Sequence, residues 1–179
     1  MALDIAELKN RAKDIRLVCF DVDGTLTDGR LYFDSEGRES KAFNVHDGQG
    51  LRLLEDNDIA VAFITARASE SAKARAHDLR LSHVFIGVKD KAACLKDLCK
   101  QLNITEQQVA FMGDDIPDLA AMKLCRLACV PANAHAWMLD HADWISPKNA
   151  GDGAARALCD FILESQNLMP AILKRWGVA

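Results

Sequence analysis

The sequence lacks an apolar run near the roughly 20 residues that a transmembrane helix requires. Its start, Met1 to Lys13, is amphipathic and lacks the apolar centre and cleavage site of a secretory signal. Excess positive charge is also missing, since 22 Lys and Arg stand against 26 Asp and Glu, a formal net charge of −4. We therefore expect a cytoplasmic protein with no nucleic-acid or membrane partner. A small anionic substrate stays open, because a pocket can be basic in an acidic chain.

No two of the cysteines form a CxxC pair, which argues against a zinc or redox motif. Several of them fall inside apolar runs such as Leu17-Val18-Cys19-Phe20. Free cysteine packs as a small hydrophobic residue, so the pattern predicts buried, reduced thiols.

Short apolar runs alternate with helical patterns along the chain, whose 179 residues suit one domain, 1–179. The runs are Leu17 to Phe20, Ile59 to Thr65, Val84 to Ile86, Val109 to Met112, Leu127 to Val130 and Trp144-Ile145. The predicted helices are a first one containing Ile5, Leu8 and Ala12, then Gly50 to Asn57, Ser69 to Leu79, Lys91 to Leu102, Ile116 to Leu124, Ala134 to Leu139 and Ala154 to Glu164. This alternation predicts an α/β fold with a Rossmann-like, doubly wound parallel sheet covered on both faces.

Two segments depart from this alternation. Residues 28–45 contain two short apolar or alternating stretches around Asp34-Ser35-Glu36-Gly37, which predicts a small β-hairpin insertion. Residues 165–179 are more apolar than a free terminus should be, so we expect this tail to dock on its own domain or on a neighbouring subunit.

The strongest chemical signal is Asp21-Val22-Asp23-Gly24-Thr25-Leu26-Thr27, directly after the first core strand. Such a stretch can be an ordinary turn rich in Asp and Gly. A carboxylate at a strand end can also attack phosphorus. A second carboxylate nearby can protonate the leaving oxygen and later activate water. The glycine lets backbone N–H groups approach a phosphoryl group.

This motif resembles the first motif of the haloacid dehalogenase superfamily, whose phosphatases form an aspartyl-phosphate. Thr65, in Phe63-Ile64-Thr65-Ala66-Arg67, and Lys91, after Gly87-Val88-Lys89-Asp90, resemble the next two motifs. The resemblance implies that Asp21 is the nucleophile and Asp23 the general acid and base. Thr65 and Lys91 would stabilise charge on the phosphoryl oxygens.

The fourth part is the acidic cluster Gly113-Asp114-Asp115-Ile116-Pro117-Asp118. Clustered carboxylates repel one another unless they cap helices in solvent or hold a cation, and hard oxygen donors suit Mg²⁺. The resemblance implies that Asp21, the backbone carbonyl of Asp23 and Asp114 bind the metal. Asp115 and Asp118 would support these ligands or be alternatives to them.

The run from Phe43 to Arg52, with Thr65-Ala66-Arg67, Arg75, Lys91 and Gly113-Asp114-Asp115, resembles the 3-deoxy-D-manno-octulosonate 8-phosphate phosphatases. The similarity extends over about residues 15–164. It implies a sugar acid phosphate of lipopolysaccharide core biosynthesis as substrate, and a homotetramer in which hairpins associate and a neighbour helps to close each site. The implied substrate contacts are Asp23, Asn44, Val45, His46, Asp47, Gly48, Arg52, Arg67, Arg75 and Lys91.

Three alternatives stay open at this point. The same chemistry on another sugar acid phosphate, such as an N-acylneuraminate 9-phosphate, pairs a carboxylate with a terminal phosphate in the same way. A receiver-type phosphoacceptor domain also uses Asp, Thr and Lys at strand ends, but its acidic pair is normally adjacent, whereas Val22 separates Asp21 from Asp23. A catalytically silent oligomerisation domain would not need the intact motifs.

Overall fold

A computed structural model describes residues 4–178 of the chain. Residues 1–3 and 179 belong to the predicted amphipathic start and apolar tail, and they lie outside the described residues. The strands of the described chain are β1 (Leu17–Phe20), β2 (Tyr32–Phe33), β3 (Glu39–Ser40), β4 (Ala60–Thr65), β5 (His83–Ile86), β6 (Val109–Met112), β7 (Leu127–Val130) and β8 (Trp144–Ile145).

Six of these strands form one sheet in the order β5-β4-β1-β6-β7-β8, and every neighbouring pair is parallel. From β1 the chain builds outward through β4 and β5, then crosses back to build β6, β7 and β8 on the other side. The predicted doubly wound parallel sheet is confirmed. Its direction of winding changes beside β1, which is where such sheets open a crevice at the carboxyl ends of their strands.

The helices of the described chain are α1 (Ile5–Ala12), α2 (Val45–Glu55), α3 (Glu70–Asp78), α4 (Lys91–Leu102), α5 (Leu119–Met122), α6 (Ala136–Leu139), α7 (Ala154–Ser165) and α8 (Met169–Arg175). The prediction that Ile116 to Leu124 is one helix needs correction, because a 3₁₀ turn at Ile116–Asp118 precedes α5. None of the helices described has both the length and the apolar character that crossing a membrane demands.

The start of α2 also differs from its prediction at Gly50. The helix begins at Val45, because the Asn44 side chain accepts a hydrogen bond from the His46 N–H at 2.8 Å and caps it. Glycine weakens a helix interior, so Gly48 and Gly50 obscured the pattern. A Cβ at Gly48 would collide with the Arg75 guanidinium, so this glycine lets the arginine side chain lie directly against α2.

Successive residues along a strand point to opposite faces of the sheet, and each face is covered by its own apolar core. In β1, Val18 and Phe20 pack toward α1, α2, α3, α7 and α8, whereas Leu17 and Cys19 pack toward α4, α5 and α6. All of these strand residues are fully buried, which explains why the strand is an unbroken apolar run rather than an alternating one.

The two segments that depart from the alternation form a hairpin and a helix. Strands β2 and β3 pair antiparallel as a short hairpin soon after the segment Asp21 to Thr27, and Leu31, Tyr32 and Phe33 are exposed. The tail folds into α8, which docks on its own domain through the buried Ile172. All six cysteines are free, and four of them are buried while Cys94 and Cys125 are half-buried.

Candidate active site

Three neighbouring strands deliver polar residues to the carboxyl edge of the sheet. Asp21 follows β1, Thr65 is the last residue of β4, and Asp114 lies two residues beyond β6. The Asp21 N–H donates to the Met112 carbonyl at 3.0 Å, so the parallel pairing of β1 and β6 continues to the start of the motif. The register of the sheet therefore brings together residues that are far apart in the sequence.

Lys91 lies between two carboxylates in the interior of this edge. Its side chain is only 3% exposed, and its Nζ lies 2.8 Å from Asp21 Oδ1 and donates to Asp118 Oδ1 at 2.6 Å. Burial would lower the pKa of Lys91, but the charges of Asp118 and Asp21 outweigh it and raise that pKa. An ammonium held against the predicted nucleophile can neutralise an incoming phosphoryl group.

Lys91 reaches this position because α4 begins beside the end of β4. The Val88 N–H donates to the Thr65 carbonyl at 3.0 Å, which ties the preceding loop to the strand. Asp90 then caps the helix by accepting from the Ala93 N–H at 2.9 Å. The Thr65 side chain is itself buried, and its Oγ1 accepts from the Arg67 N–H at 3.4 Å.

Three carboxylates converge beside Lys91. One oxygen each of Asp21, Asp114 and Asp118 lies within 4.8 Å of the others. Burial, followed by the charges of Asp21 and Asp118, raises the pKa of Asp114 to about 7. Burial and Asp118 likewise raise the pKa of Asp21 to about 6, against the lowering effect of Lys91. One buried ammonium thus compensates the cluster only in part, and a divalent cation would relieve the repulsion.

The donor set fits Mg²⁺, since it consists of hard carboxylate oxygens without histidine or cysteine. Asp118 is already engaged, because its Oδ1 accepts from Lys91 and its Oδ2 accepts from the Asp114 N–H at 3.1 Å. It therefore fixes the loop and the lysine, as the supporting role predicts. Asp21 and Asp114 are therefore the candidate metal ligands among the three, and the carbonyl of Asp23 stays a predicted third ligand.

The loop after β1 is folded tightly against Asp114. The N–H groups of Leu26 and Thr27 both donate to the Val22 carbonyl, at 2.9 and 3.1 Å. Gly24 has a φ of +81°, and a Cβ there would collide with the Asp114 carboxylate. Thr25 Oγ1 donates to Asp114 Oδ1 at 3.2 Å. The glycine is therefore required both by its backbone conformation and by the closeness of the ligand.

Asp23 lies in a second cluster, formed with the hairpin. Lys41 Nζ donates to Asp23 Oδ1 and lies 3.0 Å from Glu39 Oε1, while Arg67 pairs with Glu39 Oε2. Arg67 Nε is 3.8 Å from Asp23 Oδ2, which closes a ring of alternating charge. No role for Lys41 or Glu39 was predicted from the sequence. Their only local signal is opposite charge two positions apart, at the first residue of β3 and directly after its end.

Asn44 and Asp47, two predicted substrate contacts, hold the backbone in this structure. Asn44 caps α2 and its Nδ2 donates to the Gly151 carbonyl at 3.4 Å. Asp47 is buried, and its Oδ1 accepts from the Arg156 N–H at 2.8 Å in the first turn of α7. Helix α7 has no side-chain cap from its own N-cap residue, so Asp47 supplies one from α2. Burial raises the pKa of Asp47.

The structure does not bring the predicted arginines together. Arg67 lies beside Asp23, whereas Arg75 donates to the Asn44 carbonyl at 3.2 Å and pairs with Asp78. Arg52 is in the last turn of α2 and donates to the Leu79 carbonyl and to Asp56, about 12 Å along the helix from Asn44. Val45 and His46 are exposed at the start of α2, and Gly48 is buried under Arg75.

Comparison with known proteins agrees with this geometry. The model of the haloacid dehalogenase-like hydrolase family matches residues 84–158. The 3-deoxy-D-manno-octulosonate 8-phosphate phosphatase of Yersinia pestis is 40% identical over 157 residues, which cover 88% of this chain and 84% of that protein. This chain belongs to the 3-deoxy-D-manno-octulosonate 8-phosphate phosphatase family.

Solved structures extend the family likeness to the whole fold. The family's phosphatase from Moraxella catarrhalis, in complex with magnesium, phosphate and KDO, has a TM-score of 0.94 at 38% identity and covers 97% of this chain and 99% of its own. A hypothetical protein from Xanthomonas campestris has a TM-score of 0.93 at 50% identity, with 98% of both chains covered. The resemblance drawn from the motifs is confirmed.

Proposed function

We propose that this protein is a Mg²⁺-dependent phosphatase that hydrolyses 3-deoxy-D-manno-octulosonate 8-phosphate to 3-deoxy-D-manno-octulosonate (KDO) and phosphate. The observation that carries the proposal is the meeting of Asp21, Lys91 and Asp114 at the carboxyl edge of the sheet. Membership of the phosphatase family supports it, with relatives 38% to 40% identical over most of the chain.

The proposed chemistry gives each of these side chains one role. Asp21 attacks phosphorus in line, the bond from phosphorus to the alcohol oxygen breaks, and that oxygen keeps the electron pair and takes a proton from Asp23. Lys91 and Thr65 stabilise the phosphoryl oxygens. Asp23, now ionised, removes a proton from the water that hydrolyses the Asp21 acyl phosphate. Asp21 and Asp114 would hold Mg²⁺, which would supply further positive charge to the phosphoryl group.

Recognition of the sugar acid would begin at Arg67. Its side chain is 45% exposed and lies beside Asp23, so its planar fork can reach a substrate carboxylate beyond the phosphate. We propose Asn44, Val45, His46, Asp47, Gly48, Arg52 and Arg75 as the remaining contacts, in agreement with the family resemblance. An N-acylneuraminate 9-phosphate pairs the same two anionic groups, so it is the competing substrate.

The proposal includes a homotetramer in the cytoplasm. Leu31, Tyr32 and Phe33 are 46%, 44% and 59% exposed on the hairpin, an apolar surface that suits association between hairpins. A neighbouring subunit could then close a site that this small hairpin leaves open.

Phosphate release with Mg²⁺ and with EDTA tests the function. The substrates would be 3-deoxy-D-manno-octulosonate 8-phosphate, N-acetylneuraminate 9-phosphate and simple sugar phosphates. A strong Mg²⁺-dependent preference for the first supports the proposal. Preference for the second would keep the mechanism and change the substrate. Release from none of them, or a long-lived acyl phosphate, would favour the silent or the receiver-type domain.

A further inference from the structure

Lys41 occupies an unusual place on the hairpin. Residues 28–38 are exposed, yet the side chain of Lys41 is only 1% exposed. Burying an ammonium is strongly unfavourable unless it is paired and hydrogen-bonded. Lys41 is paired twice, with Asp23 Oδ1 and with Glu39 Oε1. The chain therefore places this charge inside the fold at a position where a solvent-facing lysine would be the ordinary outcome.

Glu39 anchors the lysine to the rest of the domain. Its carboxylate pairs with Arg67 and accepts a hydrogen bond from Ser69 Oγ at 3.4 Å, while its carbonyl accepts from Ser71 Oγ at 3.5 Å. Ser69 is the N-cap of α3 and is buried. The contact of Lys41 with Asp23 thus rests on α3 and not on the exposed hairpin turn.

The Asp23 carboxyl has one other charged neighbour, Arg67, whose Nε lies 3.8 Å from Oδ2, beyond hydrogen-bond distance. Within residues 4–178, Lys41 is the only hydrogen-bond donor to it, since Asp23 Oδ2 is buried and accepts none. An ammonium has donors only, so Oδ1 must accept from it. The proton that moves to the leaving oxygen is then carried by Oδ2. A general acid works only when its proton is aimed at the acceptor, so this restraint bears directly on proton transfer.

We propose that Lys41 is a positioning residue that fixes the Asp23 carboxyl for protonation of the leaving group. The inference rests on the proposed phosphatase function and adds a residue that acts through Asp23 without touching the phosphoryl group. It distinguishes Lys41 from Lys91, which lies against the nucleophile.

Aryl phosphates whose leaving groups differ in basicity test this role without using the sugar carboxylate. The readout is kcat/KM, which covers phosphoryl transfer to Asp21 and excludes hydrolysis of the acyl phosphate. In Lys41→Met, we expect kcat/KM to fall about 10- to 100-fold for phenyl phosphate and less than about 3-fold for 2,4-dinitrophenyl phosphate. The poorer leaving group needs the proton, whereas the better one leaves without it.

Two further variants separate positioning from folding. Lys41→Arg keeps a cation that can donate to both carboxylates, and it should recover most of the loss. The exposed Lys73→Met, which removes a lysine that is paired with Glu70 at the surface, should change neither rate. If Lys41→Met does not fold, Lys41→Gln keeps a donor in nearly the same space and serves for the same comparison.

A double-mutant cycle gives the sharpest result. If Lys41 acts through Asp23, Lys41→Met should have little further effect in an Asp23→Asn background. An equal loss on both phenyl esters, or additive losses in the cycle, would overturn the inference while the phosphatase function stands. A wild-type protein that hydrolyses none of the esters or sugar phosphates would overturn the function, and the inference with it.

Discussion

At the residue scale, the buried edge of the sheet holds more negative than positive charge. Asp21, Asp114 and Asp118 converge, and among them only Lys91 is cationic. Such a cluster is unfavourable to folding and useful for binding a cation. The same repulsion therefore lowers the stability of the metal-free protein and favours the binding of Mg²⁺.

This repulsion predicts that the stability of the metal-free protein depends on pH. The folded-state pKa of Asp114 is about 7, above the ordinary 3.8, so the metal-free fold favours the protonated carboxyl. Its contribution to stability is then present below about pH 4 and is lost as the pH rises toward 7. In thermal unfolding with EDTA, ionisation of Asp114 should therefore lower Tm as the pH rises from about 4 toward 7. Mg²⁺ should raise Tm more at pH 7.5 than at pH 5.

Asp114→Asn is the matched control for this dependence. It keeps the size of the side chain and a hydrogen-bond acceptor for Thr25, and removes the charge. The variant should lose much of the pH-dependent fall in EDTA and respond weakly to Mg²⁺. A Tm profile and Mg²⁺ response identical to those of the wild type would contradict the assignment of the metal site.

The nucleophile gives a second prediction at this scale. Asp21→Asn cannot form the acyl phosphate, so phosphate release should fall by more than about 10³-fold. Because the change removes one of three repelling carboxylates, Tm in EDTA should stay the same or rise. The exposed Asp97→Asn should leave both quantities unchanged. Turnover near the wild-type rate in Asp21→Asn would refute the mechanism.

The candidate catalytic side chains were predictable because each lies next to the end of a strand or helix. Asp21, Thr65 and Asp114 follow apolar runs, and their grouping depends only on parallel pairing. Lys41 was not predictable in this way. Its burial depends on how the hairpin packs against α3, a tertiary contact that no local pattern encodes.

At the element scale, α7 depends on a residue from another helix. Asp47 of α2 accepts the Arg156 N–H, and the loop before α7 lies against the catalytic loop, where the Gly151 N–H donates to the Thr25 carbonyl at 3.3 Å. The start of α7 and the loop after β1 are thereby linked. The alternating pattern predicted α7 itself, but not the source of its cap, which is distant in the sequence.

Removal of this cap should destabilise the protein. Asp47→Ala leaves the Arg156 N–H without its acceptor and should lower the free energy of unfolding by about 1 kcal/mol, within the usual 0.5–2 kcal/mol range. Asp47→Asn keeps the hydrogen-bond acceptor and removes the buried charge. Burial raises the pKa of the Asp47 carboxyl, which shows that the charged form is disfavoured, so the variant should be at least as stable as the wild type at pH 7. Urea unfolding measures both. Equal losses in the two variants would contradict the capping role.

At the scale of the whole molecule, the apolar surface of the hairpin tests the proposed assembly. Phe33→Asp places a charge on the surface where hairpins would meet, so the tetramer should dissociate to smaller species. Sedimentation velocity measures this directly. Ile5→Asp, at a position on α1 that is 60% exposed, should leave the assembly unchanged. A wild-type monomer, or a Phe33→Asp tetramer, would contradict the arrangement.

The parallel direction of the strands was predictable from the sequence, but their order in the sheet was not. Alternation of apolar runs and helices indicates parallel strands, because each crossover needs a helix. The position of β1 between β4 and β6 is a matter of which strands pair, and the two apolar cores cover the faces of β4 and β6 as well as those of β1.

That central position of β1 has a kinetic consequence. Leu17 pairs with both Ala60 and Val109, so two long loops must close before the sheet is complete. Asp21 meets Asp114 only after the second closure. During refolding, activity should therefore return only after both loops have closed.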